Sequence, residues 1–293
     1  MKIYDKKLAY PYFVWMVLFT VVPLFIVVYY ALTDSTGSFT LDNLVTVSGY
    51  GSVFARSLLL ALISTVVCLI IAFPVGYFLS RLRVNKQHIM LMLVMLPMWM
   101  NFLLRTYAWM SILENNGLLN QLFQQIGLID LYNQIAMHFA SDPAAYVPID
   151  HFQMIGTQGA VVLGMVYNYL PFMILPIYSV IVKLDHRLIE AARDLGADSV
   201  TVFRRVTLPL SLPGVLSGIT MVFVPSVSTF AISRLLGGGT QMMLGDLIEQ
   251  QFLGGAYNPQ LGAAIALVMM AIVVVCMLVM NRFGDGEEQA VML

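Results

Sequence analysis

Charge is scarce in this chain. Asp, Glu, Lys and Arg make up 11% of its 293 residues, against 59% hydrophobic residues. A soluble domain carries about twice that charge, so a water-soluble fold would have to hide almost everything. Cysteine is nearly missing as well. Cys68 and Cys276 each sit inside an apolar run, which reads as two small core residues rather than a disulfide framework. The four histidines, His88, His138, His151 and His186, show no metal-ligand spacing, so no metal site is expected. No G-x-x-x-x-G-K-[ST] sequence occurs, so the chain has no phosphate loop of its own. The net charge of −1 argues against a nucleic-acid partner, which calls for a basic surface.

What is present is length of apolar sequence. Mean hydropathy is +0.83. A membrane-crossing helix needs about 20 mostly apolar residues, and six segments qualify: 9–32, 57–82, 88–112, 158–183, 210–232 and 260–281. The expected fold is therefore an all-α membrane protein of six transmembrane helices. The basic start resembles a signal peptide, but the apolar run is too long and lacks a small-residue cleavage site, so it reads as an uncleaved first span. Pro97, Asn101 and Arg105 interrupt the third span, and Pro213 and Pro225 the fifth. Each proline removes a backbone donor and invites a kink.

Loop charge orients the bundle. With the N-terminus in the cytoplasm, twelve of the fifteen Lys and Arg residues fall on the cytoplasmic side; only Arg56, Arg105 and Arg234 do not. The positive-inside rule then places both termini inside. The outer side is acidic, with Asp34, Asp42, Glu114, Asp130, Asp142, Asp150, Asp246 and Glu249. This fits a funnel for a cation, and equally an outer surface that simply lacks Lys and Arg. Residues 1–56 form a tail, the first span and an external loop. Residues 57–281 form the core, with an external amphipathic segment at 115–155 and a cytoplasmic loop at 184–209. Residues 282–293 form a tail. The segment 115–140 has apolar residues at helical spacing, which predicts one or two surface helices, and "SDPAAYVPIDHF" after it predicts an irregular loop.

The cytoplasmic loop contains "EAARDLGADSVTVFRRVTLP" (190–209). Asp185 is placed to cap a helix "HRLIEAARDL", and Gly196 to end it in a left-handed conformation. Asp198 or Ser199 can cap a second helix, which Pro209 is expected to close as it begins the next span. Ala191 and Ala192 keep the first helix narrow, and Leu188, Ala192 and Leu195 give it one apolar face. A solvated loop that satisfies the positive-inside rule is the plainer reading of the same residues. A DNA-binding helix-turn-helix does not fit a weakly basic unit tethered between two spans.

Those residues carry a resemblance. Glu190-Ala191-Ala192, then Gly196, then Val206, Leu208 and Pro209 match the EAA motif of permease subunits of binding-protein-dependent ABC importers, except for Val in place of Ile. The chain resembles in particular the PotB-type permeases of spermidine/putrescine importers. That likeness runs from the first span to the last, through "LPMWMNFLLRTYAWMSIL" (96–113), "NGLLNQLFQQIGLI" (116–129), "VYNYLPFMILPIYSVIVKLD" (166–185) and "LLGGGTQMMLGDLIEQQF" (235–252).

The resemblance implies a type I importer fold in a bacterial inner membrane, and a second homologous permease beside this one. It implies ATPase subunits that bind ATP and Mg, an extracytoplasmic substrate-binding protein, and no catalysis or cofactor in this chain. In that family the motif docks on the ATPase, which assigns coupling to Glu190, Ala191, Ala192, Asp194, Gly196, Leu208 and Pro209.

A polyamine carries ammonium groups separated by methylenes, which aromatic faces and neutral oxygens suit. Trp99, Asn101, Tyr107, Trp109, Tyr167, Asn168 and Tyr169 are candidates for such a path, although Trp and Tyr also favour interfaces and Asn also links helices. Asp246 and Glu249 are candidates for an external entrance or a binding-protein contact. Arg105 is expected to pair with Glu114, Asp246 or a carbonyl. Permeases for iron, sulfate, thiamine or phosphonate remain alternatives, as does a secondary transporter, which would more often show inverted repeats.

Overall fold

In this computed structural model residues 3–139 and 147–291 are described, and they are helical almost throughout. The first span joins α1 (Ile3–Met16) to α2 (Val22–Ala31) through a π-helical turn, Val17–Val21. A short external segment holds α3 (Asp42–Val47) and leads into α4 (Gly51–Ser80), the second span. Then come α5 (Val84–Met95), a 3₁₀ turn (Leu96–Trp99) and α6 (Phe102–Leu113). The outer helices α7 (Leu118–Gln125) and α8 (Leu128–Phe139) precede α9 (Gln158–Ile181). The segment expected on the cytoplasmic side forms α10 (His186–Asp194), α11 (Ser199–Val202) and a π-helical turn (Phe203–Thr207) that runs into α12 (Leu208–Ser228). On the outer half, α13 (Ala231–Leu236) and α14 (Leu244–Leu253) lead to α15 (Pro259–Val291).

Among the described residues five helices are long and apolar enough to cross a membrane: Tyr10–Ala31, Asp42–Ser80, Gln158–Ile181, Ser199–Ser228 and Pro259–Met280. The expected third span is broken. Val84–Trp99 and Phe102–Gln125 meet at 88°, and give a sixth span only when counted together. The cause is local. Met100 and Asn101 are extended, and the Asn101 side chain accepts from the N–H groups of Leu103 and Leu104, starting a new helix there.

The core is the bundle of α4, α9 and α12. Phe73, Met173, Ile177 and Val222 fill its cytoplasmic half, and Leu60, Val161, Met165 and Ile232 its outer half. Helices α9 and α12 approach closely where glycine permits. A Cβ on Gly214 would stand 2.7 Å from the Pro176 carbonyl oxygen, and one on Gly218 would stand 2.6 Å from the Met173 sulfur. This is the small-residue packing that lets membrane helices touch. Cys68 is buried in this core and Cys276 is half-buried midway along α15; both thiols are free.

Asparagines pin the outer segment. Asn120 is buried; its Nδ2 donates to the carbonyls of Glu114 (3.1 Å) and Phe152 (3.0 Å), and its Oδ1 accepts from Phe152 N–H (3.0 Å). Asn133 exchanges the same kind of pair with Ile149, at 2.9 and 3.0 Å. The loop expected at 141–152 falls partly outside the described residues. Its described end is irregular and is held by these two side chains.

Candidate functional site

The cytoplasmic unit at 184–209 is built from caps. The Asp185 carboxylate accepts from Arg187 N–H at 2.9 Å and starts α10. At the other end Gly196 N–H bonds the Arg193 carbonyl at 2.8 Å and Ala197 N–H bonds the Ala192 carbonyl at 3.0 Å. Gly196 has φ +84°, so this is a Schellman ending that a residue with a Cβ disfavours. Asp198 then accepts from Thr201 N–H at 3.1 Å and starts the next helix. The Thr201 side chain and then its backbone N–H hold the Asp198 carboxyl below its ordinary pKa.

The second helix does not stop at Pro209. Ser199–Ser228 is one continuous helix of 30 residues. The π-helical turn Phe203–Thr207 makes this work: Leu208 N–H bonds the Phe203 carbonyl five residues back. The wider turn relieves the conflict that proline creates with a regular ladder. The first span uses the same device, with Val22 N–H on the Val17 carbonyl just before Pro23. The end of the cytoplasmic unit is thus the root of the fifth span.

One face of the unit is anchored and the other is open. Ile189 and Val202 are buried, and Phe203 stands edge-on to Phe73 and Tyr77, with ring centroids 5.6 and 5.7 Å apart. Glu190, Ala191, Asp194, Leu208 and Pro209 are exposed, Ala192 is half-buried, and Leu195 is 89% exposed. Leu188 is exposed beside them. An apolar patch with two carboxylates on a stiff, capped helix is a surface suited to docking. The anchors Ile189 and Phe203 were invisible to sequence reasoning, because which apolar face turns inward depends on α4.

The candidate path residues divide into groups. Trp109 and Tyr167 meet edge to face with centroids 5.3 Å apart. Trp99 and Tyr107 are exposed on the broken span, and Asn101 serves as the cap of α6. Asn168 is buried; its Nδ2 donates to the Gly164 carbonyl at 2.9 Å and its Oδ1 has no partner. The Tyr169 hydroxyl donates to the Pro225 carbonyl at 3.5 Å. Arg105 is 8% exposed, and its Nε and Nη1 have no hydrogen-bond partner among the described residues. It makes no ion pair with Glu114 or Asp246, contrary to the expectation from sequence. Among the described residues the salt bridge formed is Arg234–Glu249.

That bridge lies on the outer half, between the fifth and sixth spans. Arg234 Nη1 stands 2.8 Å from each carboxylate oxygen of Glu249. Asp246, one helical turn before Glu249, is 6% exposed. Its Oδ2 accepts from Met243 N–H at 3.0 Å and so caps α14, while its Oδ1 has no hydrogen-bond partner among the described residues. Burial pushes the Asp246 carboxyl above its ordinary pKa, against the pull of the Ser233 side chain and the Met243 N–H.

Comparison with known proteins places this architecture. Residues 87–287 match the family model described as binding-protein-dependent transport system inner membrane component. The spermidine/putrescine transport system permease protein PotB of Escherichia coli K12 is 36% identical over 276 residues, covering 92% of this chain and 93% of that protein. The protein of the same name from Haemophilus influenzae is 34% identical over 273 residues, covering 89% of this chain and 88% of its own length. A chain from the crystal structure of a bacterial ABC transporter involved in import of the acidic polysaccharide alginate superposes with a TM-score of 0.76. It covers 96% of this chain and 94% of its own, at 15% identity, a likeness of fold alone. Broken third span, continuous fifth span and capped cytoplasmic unit are thus features of a chain that belongs to the family of binding-protein-dependent transport system inner membrane components.

Proposed function

We propose that this chain is the membrane-spanning permease subunit of an ATP-driven polyamine importer, with spermidine or putrescine as cargo. The observation that carries the substrate class is the 36% identity to a spermidine/putrescine permease along 92% of the chain. In this reading a separate ATPase binds ATP and Mg, a second homologous permease completes the path, and an external binding protein delivers the polyamine.

Coupling falls to the cytoplasmic unit. Glu190, Ala191, Ala192, Asp194 and Gly196 form the docking helix and its end, and Leu208 and Pro209 the junction with the fifth span. ATP binding closes the ATPase dimer and displaces this unit. The push passes into the fifth span because the helix from Ser199 to Ser228 is unbroken, and the outer side opens. Hydrolysis resets it. What supports Glu190 as the charge partner of a basic ATPase residue is its exposure on a helix rigidly capped at both ends.

Cargo enters past Asp246 and Glu249 and meets the aromatic and amide groups of the broken third span and α9: Trp99, Asn101, Tyr107, Trp109, Tyr167, Asn168 and Tyr169. Their faces and neutral oxygens hold an ammonium weakly enough to release it. Labelled spermidine uptake, with putrescine as competitor, tests the reading in cells stripped of other polyamine importers. Uptake should depend on this gene and be lost with Glu190→Ala although the variant still inserts in the membrane. Uptake that is indifferent to the gene sinks the polyamine assignment. Normal uptake by Glu190→Ala sinks the coupling role of Glu190.

A further inference from the structure

Arg234, Asp246 and Glu249 line one cavity of about 100 Å³ on the outer half, together with Ser233, Gln241 and Gln250. We propose that this cavity is a subsite for a primary ammonium group, and that Arg234 is a tethered stand-in that the incoming amine displaces from Glu249. The inference rests on the polyamine reading above and adds a selecting residue to it.

Four observations carry it. First, the charges do not balance: two carboxylates face one guanidinium. The nearby Ser233 hydroxyl donates to the Phe230 carbonyl at 2.9 Å, so among the described residues the buried Asp246 keeps an oxygen without a hydrogen-bond donor, a costly arrangement that a cation with several N–H donors relieves. Second, Arg234 does not grip Glu249 as a fork. A single nitrogen, Nη1, sits 2.8 Å from both oxygens, and that is a place an ammonium nitrogen can take. Two parallel N–H···O bonds from different nitrogens would have favoured arginine.

Third, the guanidinium is easy to remove. The Arg234 side chain is 64% exposed, so it regains water when it swings out, and exposed ion pairs of this kind contribute little. Fourth, the remaining lining is neutral and offers acceptors. The Gln241 amide nitrogen donates to the Gly156 carbonyl at 3.3 Å, which leaves its Oε1 for a guest. The volume is that of about three water molecules. It fits an ammonium and its first methylenes, with the rest of a chain left outside.

The stand-in makes the entrance selective. A cation must outcompete a guanidinium already held at the site, so a primary ammonium, with N–H donors for both Glu249 and Asp246, gains over a monovalent metal ion that has none. The same competition keeps affinity moderate, which cargo in transit needs.

The test is equilibrium dialysis of labelled spermidine against the purified complex of this chain with its permease partner and ATPase, without the binding protein. Arg234→Gln should bind spermidine more tightly, by about three- to five-fold, the scale of an exposed ion pair. Glu249→Gln and Asp246→Asn should bind it more weakly. The opposite signs are decisive, because a merely structural bridge would lose function alike from either end. Arg234→Met, of similar length and without charge, replaces Arg234→Gln if that variant does not assemble. Weaker or unchanged binding on removal of Arg234, in a complex that transports spermidine, overturns the subsite and leaves the polyamine reading in place. Absence of spermidine transport by the unaltered complex overturns that reading and the subsite with it.

Discussion

Phe203 stands edge-on to Phe73, with ring centroids 5.6 Å apart and planes at 88°. The same ring meets Tyr77 at 5.7 Å and 88°. Phe203 begins the π-helical turn that joins the cytoplasmic unit to the fifth span, while Phe73 and Tyr77 belong to the second. A displacement of α10 therefore reaches two spans together, one through the helix backbone and one through this aromatic contact.

Phe203→Ala should uncouple the machine rather than dismantle it. Each aromatic pair is worth about 0.5–1.5 kcal/mol beyond its buried area, a loss the rest of the bundle tolerates. In proteoliposomes with the ATPase, hydrolysis should persist while uptake per ATP falls severalfold; Phe203→Leu should sit between. An unchanged ratio of uptake to hydrolysis would show that the contact carries no force.

Gly196 offers a cleaner perturbation. A Cβ there meets nothing within 4 Å, so any cost is torsional. At φ +84° an alanine is penalised by about 1–2 kcal/mol, and asparagine by less. Gly196→Ala should lower the thermal midpoint of the complex and loosen the angle between α10 and the following helix, cutting uptake per ATP. Gly196→Asn should recover much of both. Equal effects of the two substitutions would rule out the left-handed turn as the reason for glycine.

These local devices are the part of the molecule that sequence discloses best. Asp185, Gly196 and Asp198 act on neighbours within a few residues, so their chemistry is complete in the string of letters. The apolar spans are legible for the same reason, being runs of sufficient length. Pro209 misled because a π-helical turn is a cooperative choice of the whole helix, and the proline alone points to a break. The 88° bend was legible only as a weak third span: Pro97 and Asn101 mark the place and give no angle. Arg234 and Glu249 are 15 residues apart on different helices, and the anchoring of Ile189 and Phe203 depends on α4. Nothing local announces such pairs. Arg105, whose charge calls for a partner, has none for Nε and Nη1 among the described residues.

Asn120 should be the keystone of the outer segment. It satisfies both backbone groups of Phe152 and the carbonyl of Glu114. The Glu114 carbonyl also accepts from Gly117 N–H at 2.8 Å, so Asn120→Ala strips this partner chiefly from the two Phe152 groups, at about 1–3 kcal/mol for each one that stays buried. The return strand before α9 should then become a site of proteolysis from the outer face, in right-side-out vesicles, while α4, α9 and α12 stay intact. Asn120→Asp keeps the acceptor and loses the donor, so it should show an intermediate cleavage rate. Cleavage no faster than in the unaltered chain would mean that the Asn133–Ile149 pair alone holds the segment.

Asp246 predicts an unusual response to pH. Burial raises its pKa above the ordinary 3.8, so the folded chain holds this proton more tightly than the unfolded chain does. Between 3.8 and the raised value the unfolded state has lost a proton that the folded state keeps, and stability contributed by this group falls as pH rises. Above that window the full penalty of a buried, ionised carboxylate remains; below 3.8 it is gone. Asp246→Asn removes the charge and keeps an oxygen for the Met243 N–H. The variant should therefore unfold at a higher temperature than the unaltered complex at pH 7, and the gap should narrow as pH is lowered through the window. Thermal unfolding of both, stepped from pH 7 down to the ordinary carboxylate value of 3.8, measures this. A gap that is constant with pH would mean that the effect is one of packing, and a less stable variant at pH 7 would mean that a cation already compensates the Asp246 charge.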